Sequence, residues 1–406
     1  MKRPVIICLI LFVLAAVASA AQTGIPISRF GVSPKNTAAQ NRQKLQRAID
    51  RLSASGGALY VEPVEGGYPM DGGLVLRKNV SLIGVHGPTG RGTSTADATG
   101  PTGSLFVIRD RSEAFIRVES GTRLSGIQFY YPEQSWDRAD GIVAYPPTIT
   151  LAEGENVEGV TLRDLTFYGE YFAMDFRATP PNRCEQILIE HCYGYPLSGQ
   201  FIAINHCTDI PRLLHCHVNP ANMRAFGRHF KPEVIDRVVS QKKYTYWIDY
   251  TDNAQMMDLF TFGNYGGVCL GRETYGQLTN FNFDCVQIGI YKDGSNQKNR
   301  NWQISQGSII ANTGERAEDV HPIVIKGCGH TSLTNVEAFS GGNPVLTDYG
   351  ASQDFLLTIG DEPGTITLTA CRMQGYTADK PLTLHNPNAR VRAIGCVDKE
   401  GNFFDL

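Results

Sequence analysis

Seven polar residues recur along this 406-residue chain, each closing a short apolar run. They are Asp175, Asn205, Asp249, Arg272, Lys292, Lys326 and Asp348, so an acidic and amide half gives way to a basic half. If the runs are stacked strands, these charges stand about 4.8 Å apart along one edge. At an effective dielectric near 20, neighbours at that spacing interact by about 3 kcal/mol, enough to move a pKa by a unit or two. A base beside a row of cations is what proton abstraction next to a carboxylate requires, because the cations hold the enolate-like charge that develops. Asp249, Arg272 and Lys292 form the core of that reading, with His215 or His229 as proton shuttle and Lys326 as a further cation. Hydrolysis of a glycosidic bond would need two carboxylates, about 5–5.5 or 6.5–9.5 Å apart, from Asp175, Asp249, Asp252 and Asp284. A solvated salt-bridge ladder with no chemistry explains the same column.

Two other groups could bind rather than react. Tyr244, Tyr246, Trp247 and Tyr250 crowd one run, and strand alternation sets Tyr244 and Tyr246 opposite Trp247 and Asp249. One of those two sets packs the interior, while the other, through Tyr246 or Trp247, offers a flat surface for a sugar ring. Arg224, Arg228, His229 and Lys231 make a local basic patch that suits an anionic ligand.

The elements that position these residues follow from spacing. Apolar pairs before a polar turn begin at Leu162, Ile189, Leu213, Val234, Met256, Leu278, Ile304, Leu333 and Leu368. Val234, Met256 and Leu278 are 22 residues apart, too short for a βα repeat or a propeller blade but suited to one rung of a parallel β-solenoid. The turn column reads Asp164, His191, His215, Asp236, Asp258, Asn280, Gln306 and Asn335. Such stacked turn residues ordinarily satisfy backbone groups, although two adjacent histidines would repel if both were charged. Irregular stretches at 85–103, 132–147 and 219–233 are expected to wall a groove. Ahead of the rungs, Leu45, Ala48, Ile49 and Leu52 follow Asn36-Thr37 at i, i+3, i+4 and i+7, predicting an amphipathic helix that Gly56-Gly57 stops. A solenoid needs such a cover over its open apolar end.

Phe30-Gly31-Val32, Leu45 to Asp50, Gly56 to Pro63 and Val80 to Gly84 together resemble the N-terminal module of the pectate lyase superfamily, as found in rhamnogalacturonase-, epimerase- and tailspike-type proteins. The resemblance covers about 55 residues. It implies an all-β, single-stranded right-handed parallel β-helix (solenoid) with an N-terminal capping helix over 27–62 and rungs from about 74 to 406. It also implies an extended polysaccharide as partner, cleaved or epimerised, without picking the reaction; the charged residues point to C5-proton abstraction on a uronate-containing polymer, with a carboxylate-pair hydrolase or a noncatalytic binding solenoid as alternatives. Asp284-Cys285 followed by Lys292-Asp293-Gly294 looks like the Asp-Asp-Cys strand of polygalacturonases, but Phe283 fills the first Asp position.

Composition bounds the rest. Met1-Lys2-Arg3, an apolar run to Val17 and Ala18-Ser19-Ala20 describe a cleavable export signal over 1–20, leaving 21–406 as a secreted or periplasmic chain. No Cys follows the cleavage site for a lipid anchor, and no later run is long enough for membrane insertion. Removing Lys2 and Arg3 from a chain of net charge −3 leaves −5, which argues against a nucleic-acid partner. Nine cysteines then remain, several at matching rung positions, and are expected as small apolar filling. The Cys/His mixture around 191–217 has no CxxC or HxxxH spacing and the acidic residues are scattered, so neither a metal cofactor nor calcium is expected.

Overall fold

A computed structural model describes residues 24–87, 101–293, 301–312, 316–327, 329–339, 352–376 and 380–406. The export signal and Asp348 lie outside them.

Helix α1 (Ala38–Ser53) forms where the i, i+3, i+4 pattern placed it. Thr37 accepts from the Gln40 N–H while the Gln40 side chain accepts from the Thr37 N–H, a capping box that satisfies two otherwise orphaned donors. Leu45, Ala48 and Ile49 are buried on the face turned to the first strands. Gly56 ends the segment at φ +74°, and strand Gly57–Tyr60 follows.

From there the chain coils. Among the described residues, 25 strands form a broad sheet and 13 a narrow one, paired in parallel except for the last two strands of the narrow sheet. The broad sheet carries two columns of strands. One rung shows the order: Met174–Arg177 lies in the first column, Leu188–Glu190 in the second and Tyr193–Gly194 in the narrow sheet. The chain then returns to the first column at Ile202–Thr208.

Pairing between rungs is in register, so inward positions stack like upon like. Leu162, Ile189, Leu213, Met256, Leu278, Ile304, Leu333 and Leu368 follow one another in the second column, all buried. Phe106, Phe129 and Phe167 do so in the narrow sheet, with successive ring centroids 6.4 and 5.0 Å apart. Cysteines fill the same interior, Cys184 pairing in register with Cys207. Dense stacking of apolar side chains on both sides of each buried strand is the main source of stability in a coil of this kind.

Val234 and Asp236 depart from the column expected of them. They lie in helix α2 (Pro232–Ser240), where Val234, Ile235 and Val238 form one buried face and Pro232 occupies the first turn. The true rung therefore steps directly from Leu213 to Met256. Residues 219–243 between them are an insertion comprising the 3₁₀ segment Pro220–Phe226 and α2.

Candidate active site

Between the second column and the narrow sheet, each rung turns through one residue of left-handed backbone. Asp164, His191, His215, Asp258, Asn280, Gln306 and Asn335 have φ of 52–55°. Only glycine adopts this region freely, and Asn, Asp and His are the side chains that tolerate it best. The corner thus favours polar residues for backbone reasons, with Ala370 at φ +53° as an exception on the next rung, and stacks them for geometric ones. Asp164 Oδ1 lies 2.6 Å from His191 Nδ1, and His215 Nδ1 lies 2.8 Å from Asp258 Oδ2. In chain order the row reads Asp, His, His, Asp. Each imidazole turns to a carboxylate, which removes the repulsion expected between the histidines.

Two residues past the corner, the outward row of the narrow sheet continues this chemistry. Thr166, Tyr193, His217 and Phe260 stack in register. The Tyr193 hydroxyl lies 2.7 Å from His191 Nε2. A proton on His191 Nδ1 facing Asp164 leaves Nε2 as acceptor, so the phenol donates. The result is a carboxylate–imidazole–phenol chain, Asp164–His191–Tyr193. Arg163 flanks it, with Nε 3.4 Å from Asp164 and 3.6 Å from Glu190.

His86 enters from the loop after the strand Val80–Ile83. Its Nε2 meets the Thr166 hydroxyl at 3.0 Å, and its ring stands 5.7 Å edge-on from His191 and 6.0 Å from Tyr193. Burial pushes the His86 imidazole below its usual value, the Asp164 carboxylate opposes that and His191 adds to it. His86, Asp164 and His191 each offer one metal-ligating atom within 4.8 Å of the others, the one such group among the described residues. On the other side, His217 stacks on Phe260 at 4.3 Å.

The same face carries the insertion. Phe226 stacks on Tyr130 at 4.1 Å and meets Tyr168 edge-on at 5.1 Å. Arg228 sits 5.7 Å over the Trp136 ring and 3.4 Å from the Tyr130 hydroxyl. His229 accepts from Arg224 Nε at 3.4 Å and is held below its usual pKa by burial and then by Arg224 and Lys231. The Lys231 N–H bonds to the Trp136 carbonyl, joining the 132–147 stretch to the insertion. Leu105, Val107, Arg109, Tyr130 and Phe226 line a cleft of about 690 Å³ there. The three irregular stretches named from the sequence thus gather over the narrow sheet, although residues 88–100 of the first lie outside the described set.

The charge column of the broad sheet is built differently. Trp247, Asp249 and Lys326 do face outward. Asp249 Oδ1 accepts from the Tyr250 N–H at 2.9 Å and the Glu273 N–H at 3.4 Å, so it caps a turn. Arg272 is exposed in that same turn. Lys326 pairs with Asp293 at 3.6 Å, and Arg177 grips both oxygens of Asp175 at 2.7 and 2.6 Å.

Lys292 and Tyr246 are corrections to the sequence reading. Lys292 stands in the inward row of Ile248, Leu270 and Ile325 and is 4 % exposed. Tyr246 is fully buried and donates its hydroxyl proton to the Phe260 carbonyl at 2.9 Å. Both follow from strand parity, which turns every second side chain into the coil. Asp249 and Arg272 therefore share a corner, but Lys292 does not join them. The hydrolase pool is also dispersed. Asp175 is ion-paired, Asp252 accepts from the Tyr275 hydroxyl, and Asp284 leaves the narrow sheet beside Phe262 with burial pushing its carboxyl up.

His86 and Tyr193 were absent from the sequence reading. The detectable signal is His191-x-Tyr193, a corner histidine followed two residues later by an outward aromatic. For His86 no local signal exists.

No family model matches the chain, and no curated protein matches it. Solved structures do. The A-module of a mannuronan C-5 epimerase from Azotobacter vinelandii aligns over 92 % of this chain and 99 % of its own, at 12 % identity and TM-score 0.51. A tailspike mutant of E. coli bacteriophage HK620, in complex with a hexasaccharide, covers 95 % and 67 % at 12 % identity and TM-score 0.54. A tailspike of an Acinetobacter phage covers 95 % and 64 % at 10 % identity and TM-score 0.53. Likeness at this identity is a likeness of fold. By its strand topology and by these neighbours, the chain is a right-handed parallel β-helix protein.

Proposed function

We propose that this protein is an enzyme acting on a uronate-containing polysaccharide by proton transfer at C5, with Asp164, His191 and Tyr193 as its proton relay. The observation that carries the reading is the unbroken 2.6 and 2.7 Å chain from carboxylate to imidazole to phenol on an outward face. In the forward step Tyr193 passes its proton to His191 Nε2, and its oxygen takes the C5 proton. Asp164 stabilises the imidazolium that forms, in the manner of an oriented base. Arg163 and, across the face, Arg228 are the cations available to the sugar carboxylate. Return of a proton from water to the opposite side of C5 gives epimerisation; departure of the C4 oxygen substituent, protonated from water, gives elimination.

The neighbours support a polymer substrate, since one is described as a mannuronan C-5 epimerase and the other holds a hexasaccharide. Tyr130, Phe226, His217 and Phe260 offer ring faces on which sugars stack. An export signal over residues 1–20 would place the enzyme where such polymers occur. The carboxylate-pair reading finds less support, because Asp175, Asp249 and Asp252 are each engaged by an ion pair or hydrogen bond on the broad sheet, while Asp284 lies on the narrow sheet.

Incubation with a panel of polyuronates in D2O tests this. Deuterium at C5, with or without an unsaturated product absorbing in the ultraviolet, is the expected outcome, abolished in Tyr193→Phe and His191→Ala. Absence of both signals across the panel, or undiminished turnover in Tyr193→Phe, would overturn it.

A further inference from the structure

We infer that His86, Asp164 and His191 form a binding site for a first-row divalent ion of the zinc type, and that filling it shuts the proton relay. Two imidazoles and one carboxylate are a nitrogen-rich donor set that suits zinc, cobalt or nickel and is poor for calcium or magnesium. The three donors come from three places far apart in the chain and lie within 4.8 Å of one another. Donors around tetrahedral zinc, each about 2.0–2.1 Å from the ion, stand roughly 3.3 Å apart. Asp164 Oδ1 and His191 Nδ1, 2.6 Å apart, must open by under about 1 Å, and His86, on a loop rather than a strand, closes the remaining distance by rotation. Three protein ligands leave a fourth position for water, the pattern of an open site rather than a closed structural one. The Thr166 hydroxyl on His86 and the Tyr193 hydroxyl on His191 supply the outer hydrogen bonds that orient ligating imidazoles.

The consequence for chemistry follows from proton positions. Without the ion, the proton of neutral His191 sits on Nδ1, facing Asp164, and Nε2 receives the phenol proton. An ion between Asp164 and His191 takes the place of that Nδ1 proton. The proton moves to Nε2 and is then donated to the Tyr193 oxygen, so no net proton is released. Tyr193 has lost its acceptor, and the relay is closed. This half of the inference rests on the relay proposed above; the binding half does not.

Cobalt(II) is the probe, titrated into the full chain after treatment with a chelator and without substrate. One equivalent should bind with the visible absorption of a tetrahedral site. Affinity should fall at least tenfold in His86→Ala and in Asp164→Asn, the latter chosen because asparagine keeps the left-handed corner. His330→Ala, a remote histidine beside Thr365, should bind as the unaltered chain does, and circular dichroism should report the same fold in all three. Failure to bind one equivalent, or unaltered binding in His86→Ala, overturns the site. In the turnover assay, zinc should inhibit over the concentration range in which it binds, and chelation should restore the rate. Stoichiometric binding without inhibition overturns the coupling to the relay. Because the cobalt titration needs no substrate, its result stands apart from any failure to find a polyuronate that reacts.

Discussion

The outer face of the broad sheet and the corner beside the narrow sheet carry similar charges on the same rung spacing, yet they use them in opposite ways. On the flat face, a charged residue finds its partner along its own strand or on the next rung. Arg177 reaches back to Asp175, Lys326 to Asp293, and Asp249 takes backbone N–H groups. Each charge is consumed by a neighbour. At the corner, the left-handed residue directs its side chain outward where two rows converge. His191 there meets a carboxylate on the preceding rung and a phenol two residues ahead. A group with an acid on one side and a hydroxyl on the other can pass a proton, whereas a group closed in an ion pair cannot. Geometry at the bend, rather than charge density, separates scaffold from chemistry.

The strongest way to break this contrast is to remove the relay. Tyr193→Phe should lower turnover by about 10²–10⁴-fold, the usual weight of a positioned acid or base. Asp249→Asn on the flat face should leave the rate within a few-fold in the same deuterium-exchange assay. Equal losses in both would erase the distinction.

Next in size is a buried carboxyl on the rung of Asp164. Glu170 is fully buried, and neither side-chain oxygen closes a hydrogen bond among the described residues, although backbone amides of Glu170 itself and Tyr195 lie toward it. Burial pushes its pKa well above the ordinary carboxylate value. The folded chain therefore keeps this proton to higher pH than the unfolded chain does. Stability from this group is full below the unfolded value of about 4.3 and declines as pH rises toward the folded value. Glu170→Gln should remove that slope and raise stability at neutral pH by about 1–3 kcal/mol in urea unfolding. An unchanged slope would mean that Glu170 does not cause it.

Gly271 examines the flat face. A Cβ there would stand 2.4 Å from Asp249 Oδ1 and 2.5 Å from its Cγ, so Gly271→Ala should cost about 1–2 kcal/mol by displacing the turn that Asp249 caps. The smallest effect belongs to Asp175→Asn. With Arg177 half-exposed, the pair should contribute only about 0.2–1 kcal/mol, falling further with added salt. A loss much larger than that would show the flat face to be more than a solvated ladder.

The coil itself was legible because its signal is local. Leu162, Ile189, Leu213 and Met256 each precede a polar turn, and α1 shows helical periodicity beside a capping pair. Val234 misled because Val-Ile-Asp imitates the strand-and-turn signature; Pro232 and the buried spacing of Val234, Ile235 and Val238 were the opposing signal. Lys292 misled for a different reason. Its strand, Ile288–Lys292, is apolar up to its last residue, and a terminal lysine invites placement in water although parity turns it inward. The relay was only half legible. The sequence placed Asp164 and His191 in one column but treated them as backbone support, because the Tyr193 contact depends on how two outward rows converge. His86 depends on a loop crossing 80 residues of separation to reach Thr166, a closure no window along the chain reveals.

The left-handed corner constrains backbone more than side chain. Since its backbone asks only for a residue that endures positive φ, the side chain at each level can be exchanged without redrawing the coil. Asn280, Gln306 and Asn335 occupy equivalent seats farther down the same edge. Replacing two of them with aspartate and histidine would graft a second dyad onto the molecule, making the edge a ready rail for engineering new reactivity.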